Sequence, residues 1–240
     1  MTSQINLIVD DSLEELPPSP PCDLYSDEPP METDLHLKQM MLLISCLNWL
    51  WRDRSDFFVA GNLTIYYSQK RIQTRDFRGS DFFVVQGVES RSRKSWTIWE
   101  EDGKYPDLIV EILSASTAEV DRTTKKALYQ NTFRTPEYFW FDPETLELAG
   151  FSLNRGTYEP IQPNQQGLLW SNQLQLFLGV HENKLRFFQP DGQLVATPEE
   201  SALAEQRQRL MAEERAELAE ERAERLAARL RSLNIDPNSL

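Results

Sequence analysis

Acidic residues lie at the start of, or inside, two runs of strand-forming residues. Asp81 precedes FFVV, and Asp107 precedes LIVEIL, which contains Glu111. Burying an unpaired carboxylate costs several kcal/mol, so a carboxylate kept in such a run needs a hydrogen-bonded partner or a metal ion. These three residues are therefore the first candidates for chemistry.

Strand geometry decides which of these carboxylates can act together. If the two runs pair side by side, about 4.8 Å apart, Asp81 and Glu111 can converge on one hard cation, which prefers oxygen ligands. Asp107 points to the same face as Glu111, but four residues of regular strand separate the two by roughly 13 Å. Asp107 is therefore expected at the strand entrance, where it positions substrate, serves a second ion or merely caps a turn.

A lysine pair follows in a segment of helical spacing. Lys125 shares a helical face with Tyr129, four residues on, whereas Lys126 projects about 100° away. Since Tyr129 is expected to point inward, Lys125 is the better candidate to approach the carboxylates. Its ammonium could orient a nucleophilic water or stabilise charge developing on a phosphate. The alternative is a solvated helix face on which Lys125 pairs with Asp121.

Other familiar sites are excluded by residue counts. The only histidines are His36 and His181, and the only cysteines are Cys22 and Cys46, so no zinc-type ligand cluster is present. Neither a glycine-rich phosphate loop nor GxSxG occurs. There is no signal-peptide pattern, no disulfide framework and no membrane-length apolar run, so we expect a cytoplasmic protein with no membrane association.

The elements that must position these residues alternate between helix and strand. Apolar spacing predicts a helix from Leu35 to about Arg52, capped by Thr33 or Asp34. Strand-type runs follow up to residue 113, then a helical segment that begins near Ser116 or Thr117, then TPEYFWFDPET and the hairpin ELAGFSLNRGTYEPI. This order predicts an α/β or α+β core, a mixed sheet with helices packed against it.

Net charge divides unevenly along the chain. The formal charge of -13 includes -9 from residues 1–37 and -3 from residues 199–240, which leaves about -1 for the centre. A nearly neutral centre argues against a strongly basic, non-specific nucleic-acid binder. Residues 1–31, acidic and rich in proline, lack a sustained apolar period and are expected to be a disordered leader.

The C-terminal segment 199–233 is rich in Glu and Arg, and a tail, 234–240, follows it. Its apolar residues alternate spacings of four and three, as in a coiled-coil seam that would make a homo-oligomer: Ala212, Ala216, Ala219, Ala223, Leu226, Leu230 and Leu233. The alternative is a single solvated helix held by side-chain pairs such as Glu205 with Arg209 and Glu221 with Arg225.

Four stretches in sequence carry a family resemblance: RGSDFFVV, PDLIVEILSAST, DRTTKKALYQ and TPEYFWFDP. Together they resemble the Uma-two family of endonucleases, whose fold is that of the PD-(D/E)XK restriction-endonuclease superfamily. The match covers about residues 32–198 and includes a histidine of the leading helix, His36. The sequence departs from the superfamily pattern at Ser80, where proline would stand, and at Leu113, where the motif lysine would stand.

The resemblance implies a restriction endonuclease-like domain that hydrolyses nucleic acid, with DNA as the expected substrate. Asp81 and Glu111 would hold Mg²⁺ or Mn²⁺, with Asp107 as a further ligand, and Lys125 would activate water from the following helix. The competing hypothesis is a catalytically inactive scaffold that keeps the nuclease fold and assembles through its C-terminal helix.

Overall fold

The computed structural model describes residues 22–25, 33–68, 78–114 and 116–232. Most of the predicted leader, Leu233 and the tail 234–240 lie outside the described residues. Within the leader, residues 22–25 lie against the domain: Ser95 Oγ donates to the Leu24 carbonyl at 2.7 Å, and the Tyr66 hydroxyl donates to the Tyr25 carbonyl at 2.8 Å.

The described residues form strands in three sheets. The strands are β1 Phe57–Ala60, β2 Leu63–Tyr66, β3 Arg78–Ser80, β4 Phe82–Gln86, β5 Trp96–Thr97, β6 Leu108–Ile112, β7 Glu137–Phe141, β8 Leu148–Asn154, β9 Thr157–Pro160, β10 Leu169–Ser171, β11 Leu176–His181 and β12 Lys184–Phe188.

The central sheet has the order β1-β4-β6-β7-β8-β9, and its neighbours are antiparallel except for the parallel pair β6 and β7. Strands β3-β2-β5 and β10-β11-β12 form two smaller sheets. Successive side chains of a strand point to opposite faces, so Val110 and Ile109 enter two separate hydrophobic clusters, one on each side of the sheet. The predicted α+β class, a mixed sheet with helices against it, is confirmed.

In the described residues, two helices pack on this framework and a third is anchored to it by its first turn. Helix α1, Asp34–Leu50, is capped by Thr33, whose side chain accepts the His36 N–H, and it buries Leu43 and Leu47 against the sheet. Helix α2 spans residues 118–133, and helix α3 is Pro198–Ser232, 35 residues long. The cap and the extent of α1 therefore match the sequence prediction.

Helix α2 is not a regular α-helix. It contains two π turns, Asp121–Lys125 and Tyr129–Phe133, separated by one short α segment, and it ends at Arg134 in the left-handed conformation. Periodicity predicted the helical segment but not the widened turns, since a π turn and an α turn place residues four apart on nearly the same face. Widened turns of this kind occur frequently at functional sites.

The three-stranded sheet β10-β11-β12 was not predicted. It is held to the rest by buried polar contacts: the side-chain amide of Gln39 on α1 makes two 2.9 Å hydrogen bonds with the Leu185 backbone on β12. The Glu137 carboxylate on β7 accepts from the Asn172 N–H at 2.7 Å and from the Ser171 hydroxyl. These contacts join residues far apart in sequence, which local periodicity cannot reveal.

The first turn of α3 is anchored on the domain. Thr197 and Glu200 form a reciprocal capping box, with bonds of 2.9 and 3.1 Å. Glu200 also accepts two hydrogen bonds, of 2.9 and 2.7 Å, from the buried Arg186 guanidinium of β12, and Trp49 of α1 donates to Ser201 Oγ at 2.9 Å. Beyond this turn the helix leaves the domain, and none of its residues is buried.

Replacing Glu200 by alanine should therefore lower the free energy of unfolding by about 2–3 kcal/mol, because the change leaves the Arg186 guanidinium buried without its carboxylate. Glu199→Ala, one residue earlier, removes the same charge from the same helix turn but no partner of Arg186, and should change stability by less than about 0.5 kcal/mol. Urea unfolding measures both variants. Equal losses would mean that the helix N-terminus, and not the ion pair, is the source.

Candidate active site

The register of β4 and β6 sets two carboxylates face to face. Phe82 pairs with Val110 and Phe83 with Ile109, so one further step of the antiparallel ladder puts Asp81 opposite Glu111. Asp81 Oδ2 accepts the Ile112 N–H at 2.7 Å, and the Asp81 N–H lies 3.4 Å from Glu111 Oε2. Both side chains project from the sheet face that α2 covers.

Glu111 is completely buried, at 0% exposure. Its Oε1 accepts a 2.6 Å hydrogen bond from the Tyr129 hydroxyl, and its Oε2 lies 2.9 Å from Lys125 Nζ. Burial raises the pKa of Glu111 well above its usual range, and the nearby Asp81 and Asp121 charges add to this, although Lys125 opposes the shift. The buried carboxylate is thus held by one phenol and one ammonium, both from α2.

Lys125 joins two carboxylates. Its Nζ lies 2.9 Å from Glu111 Oε2 and 2.9 Å from Asp121 Oδ1, within the π turn that carries Asp121 and Lys125. Burial alone lowers the pKa of Lys125, but the charges of Glu111, Asp121 and Asp81 outweigh it and raise this pKa above its usual range. The ammonium therefore stays protonated at neutral pH.

Asp81 receives a second partner from α1. His36 Nε2, in the first turn of that helix, lies 3.0 Å from Asp81 Oδ1. Burial opposes ionisation of Asp81, yet the adjacent His36 imidazole, the Lys125 charge and the Ile112 N–H together lower the pKa of this carboxyl. The two facing acids therefore differ: the environment favours the charged form of Asp81 and disfavours that of Glu111.

Lys126 and Asp107 lie away from this cluster. Lys126 Nζ sits over the Phe151 ring of β8, 3.3 Å from its centroid. Asp107 Oδ2 accepts the Gln86 N–H at 2.7 Å at the far end of β4, four residues from Glu111 along β6. Of the four predicted site residues, the structure thus brings together Asp81, Glu111 and Lys125, whereas Asp107 lies at the strand entrance and caps the end of β4, one of the three roles considered for it.

Asp121 and His36 complete the cluster, which sequence reasoning identified only in part. Asp121 was considered only as a partner of Lys125 on a solvated face, but it is buried, with 1% of its surface exposed. Burial raises its pKa in spite of Lys125. The spacing of four between Asp121 and Lys125 was the available signal. His36 entered only through the family resemblance, because nothing local to it indicates a contact with Asp81.

The charge balance of the cluster is relevant to a metal ion. Three carboxylates, Asp81, Glu111 and Asp121, face one ammonium, so the cluster keeps an excess of negative charge that a hard cation would offset. In the part of the chain that the structure describes, no group of three or more His, Cys, Asp or Glu side chains has a geometry ready for a metal. The carboxylate oxygens of the cluster are donors of the type that Mg²⁺ prefers, and the Lys125 ammonium lies beside two of these carboxylates.

Comparison with known proteins places the chain in a family. Residues 23–182, two thirds of the chain, match the Uma2 family model, described as "Putative restriction endonuclease". The chain belongs to the Uma2 family. The resemblance inferred from the sequence is therefore confirmed, and the matched Uma2 region contains Asp81, Glu111, Lys125 and His36.

Among solved structures, this Uma2-family chain is similar to a "putative nuclease belonging to DUF820 from Anabaena variabilis ATCC 29413", solved at 1.96 Å. The identity is 16%, the TM-score is 0.44, and the match covers 61% of this chain and 76% of the other. A search of curated proteins finds no significant match. Across the described ranges, no helix combines the length and the apolar character needed to span a bilayer.

Lys125→Met should destabilise the metal-free protein by about 3 kcal/mol at pH 7, because it leaves buried carboxylates without their ammonium. Without Lys125 the folded-state pKa values of Glu111 and Asp121 rise further above their unfolded values. The loss should therefore grow as the pH rises and shrink at pH 5, where the carboxyls take up protons.

Lys126→Met is the matched control, since it keeps an apolar stem over Phe151 and should cost less than about 1 kcal/mol. Urea unfolding between pH 5 and pH 8 measures both variants. A Lys125→Met cost that does not change with pH would contradict the assignment of Lys125 as the counter-charge of these acids.

Proposed function

We propose that the chain is a metal-dependent endonuclease that hydrolyses phosphodiester bonds of nucleic acid, with DNA as the first substrate to test. One observation carries this proposal. The Lys125 ammonium lies beside Glu111, and Glu111 lies directly opposite Asp81 on the paired strands. Membership of a family described as restriction endonucleases supports the same reaction class.

Each residue of the cluster has a role that follows from its contacts. Asp81 and Glu111 would hold Mg²⁺ or Mn²⁺, and the bound ion would supply Lewis acidity at a phosphate oxygen. Lys125, whose raised pKa keeps it protonated, acts as a positive donor towards charge developing on the phosphate and not as a general base. Tyr129 fixes the orientation of Glu111 through its 2.6 Å hydrogen bond.

The second candidate function, an inactive scaffold, is favoured by one observation. Lys125 is already ion-paired with Glu111 and Asp121, as in a purely structural network. The two functions predict different responses to an added divalent cation. The cation should not stabilise a scaffold, whereas in an active site it should bind Asp81 and Glu111 and leave Lys125 paired with Asp121.

Self-association through residues 199–233 is part of this proposal. Helix α3 projects from the domain with no buried residue after its anchored first turn, although it carries a regular series of apolar residues. A long helix that buries none of its apolar residues within its own chain gains stability when it packs against another helix.

Activity is the first test. Purified protein with Mg²⁺ or Mn²⁺ should cleave plasmid DNA or oligonucleotides, and Lys125→Ala should lower the rate about a hundredfold or more, the usual cost of deleting a preorganised charge-stabilising group. Lys126→Ala removes the neighbouring charge from a different face of α2 and should cost far less. A wild-type protein that cleaves no DNA or RNA in either metal would contradict the proposal.

Metal binding is tested separately from cleavage. Mg²⁺ or Mn²⁺ at a hundred times its Kd should stabilise the wild type by about 2.7 kcal/mol, seen as a rise in Tm. Glu111→Gln should abolish this rise, while Glu119→Gln, an exposed carboxylate on the same helix as Lys125, should retain it. The same rise in both variants would exclude Glu111 from the metal site, and no rise in the wild type would favour the scaffold.

A further inference from the structure

Helix α3 has a heptad pattern, and the charged residues beside its apolar seam indicate how the helix would pair more clearly than the seam itself does. Placing Ala212, Ala219 and Leu226 at d puts Ala216, Ala223 and Leu230 at a. All six lie on a helix in which no residue is buried, and Leu226 is 66% exposed. Upstream of Ala212 the next a and d positions are Arg209 and Glu205, so the apolar seam begins at Ala212.

The positions that flank this seam separate charge by sign. The e positions are Glu213, Glu220 and Ala227, and the g positions are Arg215, Arg222 and Arg229. In a parallel pair of helices, a g residue of one chain faces the e residue five positions later in the other. Arg215 of each copy then meets Glu220 of the other copy.

An antiparallel pair gives the opposite result. It places g beside g and e beside e, so the row of Arg215, Arg222 and Arg229 would lie along the same row of the second chain. Like charges at neighbouring positions are destabilising. Glu221, by contrast, pairs with Arg225 of its own chain at 3.3 Å on the outer face, away from the seam. The flanking charges therefore favour one orientation over the other.

We propose that α3 pairs with α3 of a second copy of this chain in a parallel, in-register coiled coil that begins at Ala212. The inference extends the self-association proposed above and does not depend on nuclease activity. Its occupant is a second copy because Arg215 and Glu220 complement each other only across a parallel pair of identical helices, whereas an antiparallel pair sets Arg against Arg.

The anchored first turn of α3 determines where the two domains lie in such a pair. Glu200 and Ser201 tie the helix start to β12 and α1, so the helix leaves the domain in one direction. A parallel pair then places both domains at the same end of the rod, and both candidate active sites with them. An antiparallel pair would place the two sites at opposite ends, separated by most of the helix length.

Disulfide trapping tests the orientation in the full chain. In a Cys22→Ser background, Ala212→Cys should form an intermolecular disulfide with its own copy under mild oxidation, because only a parallel, in-register pair brings position 212 opposite itself. Glu214→Cys, on the outer f position, is the matched control and should not crosslink. Crosslinking between Ala212→Cys and Leu230→Cys proteins, with no homodimer of either, would show an antiparallel pair and overturn the proposal.

Charge reversal tests the pairing itself. Arg215→Glu sets two Glu–Glu contacts in place of two Arg–Glu contacts and should raise the dimer Kd by about tenfold in sedimentation equilibrium. Adding Glu220→Arg to this variant should restore the wild-type Kd, because the pairs are regenerated with their signs exchanged. Tighter association of Arg215→Glu, the result expected when an Arg–Arg contact is relieved, or a monomeric wild type, would overturn the proposal.

Discussion

Two carboxylates set opposite each other, Glu111 fully buried and Asp81 partly buried, are the constraint around which the domain is arranged. The ladder between β4 and β6 puts Asp81 across from Glu111, and two neighbouring carboxylates in a low-dielectric interior repel each other when both are charged. Lys125, His36 and Tyr129 offset that cost with charge or hydrogen bonds. The pair of acids is energetically costly, and the residues that stabilise it lie on two helices, α1 and α2.

The supporting residues explain why both helices are positioned as they are. Helix α1 brings His36 to Asp81 from its first turn, and the π turns of α2 bring Lys125, Asp121 and Tyr129 over Glu111. The Tyr138 hydroxyl of β7 donates to the Asp121 carbonyl at 2.9 Å and so ties the widened turn to the sheet. The carboxylates of this cluster outnumber its cationic groups. The negative charge that remains uncompensated could be neutralised by a hard cation.

Local patterns predicted most of the elements and part of the candidate site, and the reason is physical. Apolar periodicity and capping chemistry are local, so α1, the central strands and the long C-terminal helix could be read from the sequence. The strand period also put Glu111 on one face with Asp107, and four residues of separation already placed Asp107 out of reach of a shared ion. Contacts such as His36 with Asp81, or Gln39 with Leu185, join residues 45 and 146 positions apart, and no local rule encodes them. Nor does periodicity distinguish an α turn from a π turn such as the one that carries Asp121 and Lys125.

Helix α1 connects the two parts of the molecule that have functional proposals. Its first turn contacts the acid pair through His36, and its last turn contacts the root of α3 through Trp49, thirteen residues or about 20 Å further along the axis. Buried side chains along this helix, from Leu43 to Cys46 and Leu47, pack it closely into the core. The distance between each candidate site and the start of α3 is therefore fixed, so pairing of the α3 helices would also fix the separation of the two sites. An assembled pair would thus present its sites to nucleic acid at one set spacing, whereas free monomers would meet it independently.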